Sequence, residues 1–451
     1  MKYASQPPKE SIEALIRWAE EHPEESTYPH PAQGRFGSRR EPEFWCYKCW
    51  VKQFEIAEKD SGLEEFFAKQ DLHFPLPEGF VPEKTVSMSC ASDLMAVDCI
   101  NDDTTEHIFD DIRDFYLTAD LPTANLESTV YSKAPFGRNQ RPVEPGATRT
   151  TGSPRMNTSA GMLDRFVDSG IRYLSTANNH CYDYDEEGLL ATLDELDKRG
   201  VAHSGTNRSP EEQETAFVME VGGVRFAMIS ATYSTNGREY EKKYLLNEVR
   251  FDDVPCDLSF IERQIADAKR QNADVIVLHA HWDWEFELYP HTCIVKLAHQ
   301  LAEMGVDVIV GTHPHVAHPM EKYTYEKDGE TRSALIFYSM GDFVSFHPVS
   351  KDSRITYVAR FNAVKGTLNG KPRTVVTDLR ILPVYILASC DENENYDFRL
   401  LRFSSVLNDK PDENGSYRWN LQDWEREDLP RLRDVLYRIL LPENTDGLIV
   451  E

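Results

Sequence analysis

Hydrophobic residues along this chain follow more than one rhythm, and the changes of rhythm divide it. Between residues 84 and 349, short apolar runs (85–91, 121–126, 173–176, 224–230, 273–278, 306–310 and 334–338) alternate with stretches at 161–169, 185–200, 258–271 and 292–305, whose apolar positions recur every three to four residues. Apolar runs bounded by turns predict buried strands, three-to-four spacing predicts amphipathic helices, and their alternation predicts an α/β domain built on βαβ units. Gly170, Gly200 and Gly305 directly follow three of the helices, where a left-handed residue past the helix end favours glycine. From 350 to 390 the period drops to two (Ile355, Tyr357, Ala359, Phe361, then 375–384), which predicts antiparallel strands with a hairpin near Asn369-Gly370.

The flanks read differently. Ile12, Leu15, Ile16 and Trp18 have helical spacing behind the capping residue Ser11, a second helix is predicted over 44–69, and Pro75, Pro77 and Pro82 mark a linker. The segment past 390 is acidic and irregular, with one helix predicted over 423–440. Three parts follow: a helical extension (1–82), the α/β domain (83–390) and a C-terminal segment (391–451).

At 451 residues the chain suits one large domain with additions, and 40% hydrophobic with 28% charged residues fits a soluble globular protein. A formal charge of -27 repels nucleic acid and anionic membrane surfaces, so neither is an expected partner. No apolar run approaches the ~20 residues that span a bilayer, and the first residues do not resemble a secretory signal; the expected location is the cytoplasm. The eight cysteines are scattered, as reduced thiols often are, and most sit in or beside apolar segments, where a small buried hydrophobe is expected. Cys46-x-x-Cys49 lacks the second pair that structural zinc needs, so these cysteines read as helix-borne neighbours packed with Trp45 and Trp50. The oligomeric state is left open.

Chemistry concentrates where the apolar runs end. Ligands of open α/β sheets gather at the carboxyl ends of strands. Successive ends here deliver Asp93; Asn125 and Glu127; Asn178, Asn179 and His180; His279 and His281; and His313 and His315. Taken singly, each has an ordinary reading: Asp93 as a helix cap, the two asparagines as a turn. Together, carboxylate, amide oxygen and imidazole suit one or two divalent ions such as Mn²⁺, Zn²⁺ or Fe²⁺.

The same residues sit in motifs that resemble the bacterial CapA family of capsule and poly-γ-glutamate biosynthesis. These are Ser92-Asp93-Leu94-Met95, Ala124-Asn125-Leu126-Glu127, Ala177-Asn178-Asn179-His180 with Asp183, His281-Trp282 with Glu285, Gly311-Thr312-His313-Pro314-His315, and Tyr338-Ser339-Met340-Gly341-Asp342-Phe343. The resemblance covers roughly residues 84–390 and implies the αββα sandwich of calcineurin-like metallophosphoesterases, here carrying the N-terminal helical extension. It implies a bridging role for Glu127, one ion held by Asp93 and His315, and another by Asn179, His281 and His313. It also implies that His180 protonates a leaving group, with Asp183 orienting its ring. The chain departs from the pattern at Ser92 and Asp283, where the family has glycine, and at Asp342, where it has asparagine. Met95 stands where metallophosphoesterases carry the histidine of Asp-x-His, which removes one imidazole from one ion.

Between residues 131 and 158, Lys133, Arg138, Arg141, Arg149 and Arg155 face only Glu144. Arg138 and Arg141 are the candidates to hold an anionic small-molecule or polymer substrate, since the guanidinium fork matches carboxylates and phosphates. The resemblance thus implies a metal-dependent hydrolase of a phosphoester or glutamyl amide. A non-catalytic, metal-stabilised protein that binds or assembles an anionic polymer is the second reading, and an enzyme of small-molecule metabolism unrelated to capsule is the third.

Overall fold

The structure, a computed structural model, describes residues 9–26, 42–97, 99–142, 150–347, 350–390 and 396–451. Two sheets lie face to face. The first runs in the order Tyr396–Arg402, Lys371–Cys390, Ile355–Leu368, Phe80–Leu94, Leu121–Leu126, Tyr173–Ser175, Ala202–Ser204, with Asp342–Val344 paired to the end of Phe80–Leu94. The second runs Met320–Lys327, Glu330–Phe337, Val308–Thr312, Val275–His281, Val224–Thr232, Val218–Val221. In both sheets the central strands are parallel and antiparallel strands lie toward the edges. Strands covered on both faces are apolar throughout rather than alternating; all seven residues of Val275–His281 are buried.

The sheets meet through Met88, Cys90 and Leu121 on one side and Met228, Val277 and Val308 on the other. A hydroxyl pair, Ser175 with Ser230 at 2.7 Å, crosses between them. Ile108, Phe109, Phe115, Met162 and Phe166 cover the outer face of the first sheet. Helices Ser259–Arg270 and Thr292–Met304 cover the second with Ile261, Ile265, Ile294 and Leu301. The result is a four-layer αββα sandwich, as the family resemblance implies. The hairpin at Asn369-Gly370 forms as expected, with φ of 52° and 75° at the two turn residues and Leu368 opposite Lys371.

Three local expectations need correction. The helix predicted over 44–69 is two helices, Pro42–Trp50 and Leu63–Ala68, because Asp60 and Gly62 take left-handed φ (59° and 71°) and Phe54 pairs in extended form with Glu287. Pro82 lies inside the strand Phe80–Leu94, and the register with Ile355–Leu368 shifts between Pro82 and Lys84. The C-terminal segment supplies not only helix Asp423–Val435 but also the edge strand Tyr396–Arg402. None of the eight cysteines forms a disulfide; Cys49 is buried beside Trp45 and Trp50, whereas Cys390, the last residue of strand Lys371–Cys390, is exposed. Among the described residues no helix is long and apolar enough to cross a membrane.

The N-terminal helices are tied to the segment that follows His281. Lys48 Nζ donates to Glu287 Oε1 at 2.6 Å with both side chains 1% exposed, Leu288 N donates to Phe54 O at 3.1 Å, and Glu58 Oε2 accepts from Thr292 N at 2.9 Å. His291 bonds Glu287 Oε2 at 2.7 Å and lies 3.9 Å from Glu58. Burial opposes a charge on His291, but Glu287 and Glu58 outweigh it and raise its pKa to about 9. A histidine raised above its ordinary value contributes stability that is fully present below about pH 6.5 and is lost as pH climbs through the folded-state value. The stability of the wild type relative to His291→Gln is therefore expected to fall by on the order of 2 kcal/mol between about pH 6.5 and pH 9.5. Urea unfolding across that range measures it; a difference that is flat with pH contradicts the assignment.

Candidate metal centre

Register decides which side chains meet. In the second sheet His281 stands opposite Thr312 on one side and Thr232 on the other. In the first sheet Asp93 stands opposite Asn125 and Asp342. The carboxyl ends of both sheets therefore lie at one edge of the sandwich, and the loops leaving them converge. Gly311 admits this packing because a Cβ there would lie 2.0 Å from the Tyr338 carbonyl oxygen. Beyond it His313 and His315 take φ of 100° and 58°, a left-handed conformation that costs non-glycine residues about 1–3 kcal/mol each and persists where surroundings enforce it. The enforcing contacts include Phe286 N to Pro314 O at 2.9 Å and Trp282 N to Thr312 O at 3.1 Å. Asp283 is left-handed too (φ 75°), which explains why the family pattern has glycine there.

All six expected metal ligands come together. His281 Nε2 lies 3.0 Å from Asn179 Oδ1 and 3.5 Å from Glu127 Oε1, while His281 Nδ1 is held by Thr312 Oγ1 at 2.9 Å. Asp93 Oδ1 accepts from Asn125 Nδ2 at 2.8 Å, and Asp93 Oδ2 lies 3.9 Å from His315 Nδ1. The rings of His281 and His313 are 4.8 Å apart. Two trios, Asp93–Glu127–His281 and Glu127–His313–His315, each bring one ligand atom per residue within 4.8 Å of the others. Glu127 is common to both, in keeping with a bridging role. The trios cut across the expected division, however, since His281 groups with Asp93 and His313 with His315. Asp93 caps no helix, because it lies in a strand. Asn178 does make the turn its ordinary reading expects, accepting from His180 N at 3.2 Å. His279 joins neither trio and packs on Tyr173 at 5.1 Å.

The electrostatics fit a cation. Asp93 Oδ2, both oxygens of Glu127 and both ring nitrogens of His313 are buried without a hydrogen-bond partner. Leaving such atoms unpaired is costly. Burial pushes Asp93 up to about 6, and burial with the neighbouring Asp93 pushes Glu127 well above the carboxylate range. Burial drives His313 down to about 3 and His281 well below its ordinary value. His315 is the exception: burial opposes its charge, but the hydrogen bond and charge of Asp342 outweigh it and raise the pKa to about 9. Carboxylates that resist ionising beside the neutral imidazoles of His281 and His313, aimed at one space, are a donor set a divalent ion would satisfy.

Beside the trios, His180 Nδ1 bonds Asp183 Oδ2 at 2.7 Å, and Asp183 Oδ1 pairs with Arg238 Nη2 at 3.1 Å. Met156 N also donates to Asp183 at 2.6 Å, so this carboxylate is fixed from three sides. The basic stretch forms a hairpin, Gly137–Pro142 with Thr150–Asn157. Arg138 is exposed on it, and its charge reaches His347. Arg141 lies on the same strand, with its side chain outside the described residues, as is Arg149. Arg155 stacks on Tyr184 at 5.5 Å.

Several site residues were not picked out as candidates from the sequence. Arg238 follows the strand Val224–Thr232, whose end carries no imidazole or carboxylate and so drew no notice. Trp45 donates to Glu285 from the N-terminal extension, a contact 240 residues long-range that no local pattern carries. Asp342 and His347 bond each other at 2.7 Å beside His315; the Asp-for-Asn departure at 342 was the one available signal.

A family described as "Bacterial capsule synthesis protein PGA_cap" matches residues 87–347, more than half of the chain and all six ligand positions. The chain belongs to this family. Its relatives include the PGA biosynthesis protein CapA of Bacillus subtilis (strain 168), 26% identical over 278 residues, which are 61% of this chain and 65% of that one. Another is the capsule biosynthesis protein CapA of Bacillus anthracis, 24% identical over 272 residues, 57% of this chain and 59% of that one. The chain thus spans less than two thirds of either relative's length. A calcineurin-like phosphoesterase from Bacillus subtilis, YfkN, aligns at 12% identity and a TM-score of 0.33 over 66% of this chain and 91% of that one; the fold assignment rests on the layers and strand order above.

Because Glu127 is costly to ionise in the protein alone, Glu127→Gln is expected to leave the metal-free protein as stable as the wild type or up to about 2 kcal/mol more stable. With Mn²⁺ at about a hundredfold its dissociation constant, the wild type should gain ~2.7 kcal/mol and the variant much less. Thermal unfolding with EDTA and with Mn²⁺ measures both; equal gains from metal would remove Glu127 from the centre.

Proposed function

We propose that the chain is a metal-dependent hydrolase acting on a phosphoester or a glutamyl amide, in the capsule and poly-γ-glutamate setting that the family resemblance implies and that relatives named for PGA and capsule biosynthesis support. The observation that carries this reading is the His180–Asp183–Arg238 relay beside two ligand trios that share Glu127. Asp93, Glu127, Asn179, His281, His313 and His315 would hold the ion or ions, which when bound supply Lewis-acid polarisation and water activation.

The chain's own residues do the rest. Asp183 accepts the Nδ1 proton of His180 and fixes the ring, so that Nε2 is the atom that exchanges a proton with the leaving group. Arg238 locks Asp183 in place, and Arg138 and Arg141 offer their charges to an anionic substrate approaching along the basic hairpin. Tyr233, against His313 at 4.8 Å, and Phe286, against His315 at 5.9 Å, close the ligand cluster with apolar ring area, which strengthens the electrostatics inside.

The second reading, a metal-stabilised protein that binds an anionic polymer, draws on Met95, which is 3% exposed in the place of a ligand imidazole. A polymer binder has no use for a proton donor held by a buried carboxylate, and this favours catalysis. The test is turnover of p-nitrophenyl phosphoesters and γ-glutamyl p-nitroanilide with Mn²⁺. His180→Ala should lower kcat by roughly 10²–10⁴-fold while metal content by elemental analysis stays unchanged. A wild type that binds metal but turns over neither substrate supports the binding reading instead.

A further inference from the structure

We infer that Asp342 and His347 complete a metal position at His315, on the side where His315 approaches Asp93, in place of the imidazole that Met95 does not provide. The inference rests on the metal-centre reading above and extends it to residues outside the six expected ligands. His315, Asp342 and His347 form a third trio whose ligand atoms lie within 4.8 Å of one another. The Asp342 carboxylate joins the two imidazoles, Oδ1 at 3.0 Å from His315 Nδ1 and Oδ2 at 2.7 Å from His347 Nδ1. The two rings lie 4.3 Å apart.

The position of this trio is set by backbone pairing. Strand Asp342–Val344 runs parallel to the end of Phe80–Leu94, with Asp342 directly opposite Asp93. Met95 N donates to Val344 O at 2.7 Å, and Ser345 Oγ approaches Met95 Sδ at 4.0 Å. Ser345 therefore passes beside the Met95 side chain, and two residues on His347 meets Asp342 and His315. A thioether is a poor ligand for the borderline ions that the rest of the site suits, and Met95 instead packs in an apolar cluster with Phe109 and Phe343.

An independent observation points to a ligand here. Asp93 Oδ2, fully buried and without a hydrogen-bond partner, lies 3.9 Å from His315 Nδ1 on the side where Asp342 also meets it. Charge supports the same conclusion. Asp342, where the resembling family carries asparagine, places a buried carboxylate beside this edge, bonded by both His315 and His347. Phe286 lies against both rings, 5.9 Å from His315 and 5.4 Å from His347.

Equilibrium dialysis of the full chain against Mn²⁺, with elemental analysis and electron paramagnetic resonance of the bound ion, tests the inference without reference to activity. The wild type is expected to bind about two ions. His347→Ala and Asp342→Asn are each expected to keep one and to weaken the other by at least about tenfold, with loss of the spin-coupled signal. His347→Gln, which keeps a polar side chain of similar reach, guards against a folding artefact, with circular dichroism as the check. The double variant Met95→His, His347→Ala should recover the second ion. Unchanged stoichiometry and affinity in His347→Ala, His347→Gln and Asp342→Asn overturn the inference and leave the six-ligand centre standing. A wild type that takes up no Mn²⁺ overturns both.

Discussion

The structure depends on one electrostatic constraint: carboxylates and imidazoles are buried together at the carboxyl ends of two facing sheets, and their own hydrogen bonds do not satisfy them. Glu127 is the extreme case, with neither oxygen bonded and no exposed surface. Unpaired groups of this kind act against folding, so the sandwich carries them at a cost that a divalent cation would offset. The constraint explains why the six ligand positions arise from five strand ends. No single loop could hold a carboxylate, an amide and three imidazoles at bonding range; register in two sheets fixes Asp93 and His281 directly and sets the strand ends from which Glu127, Asn179, His313 and His315 project.

Rigidity around the centre comes from the same architecture. His313, His315, Asp283 and Phe286 all take positive φ, and such backbone needs support from its neighbours. The N-terminal extension provides part of it: Trp45 donates to Glu285, its ring lies 5.3 Å from Phe286, and the buried Lys48–Glu287 pair anchors the loop that carries all of them. Helix Asp423–Val435 braces the extension in turn, through Arg431 to Glu55 at 2.7 Å. The two flanks outside the family match are thus mechanically continuous with the centre through the loop after His281.

Much of this was legible in the sequence because both signals are local. Apolar runs of strand length reported the central strands of both sheets, and a ligand-type residue at or just past each run marked the candidate site, so Asp93, Glu127, Asn179, His281, His313 and His315, which the fold brings together, could be named as candidates. Contacts without a local signature were not. The break in the helix predicted over 44–69 comes from Phe54 pairing with Glu287, a tertiary override of local spacing. The edge strand Tyr396–Arg402 is amphipathic and charged at its ends, which masked it within an acidic segment. Arg238 and His347 reach the site from loops whose sequence shows only that they are polar. The division of ligands between ions depends on side-chain direction, which strand order does not carry.

The most direct test of the central claim is an anomalous-scattering experiment on crystals soaked in Mn²⁺. The account predicts anomalous density within bonding distance of Glu127, flanked by Asp93 and His281 on one side and His313 and His315 on the other. A site at full Mn²⁺ saturation with no such density at Glu127, or density only at surface carboxylates, contradicts it.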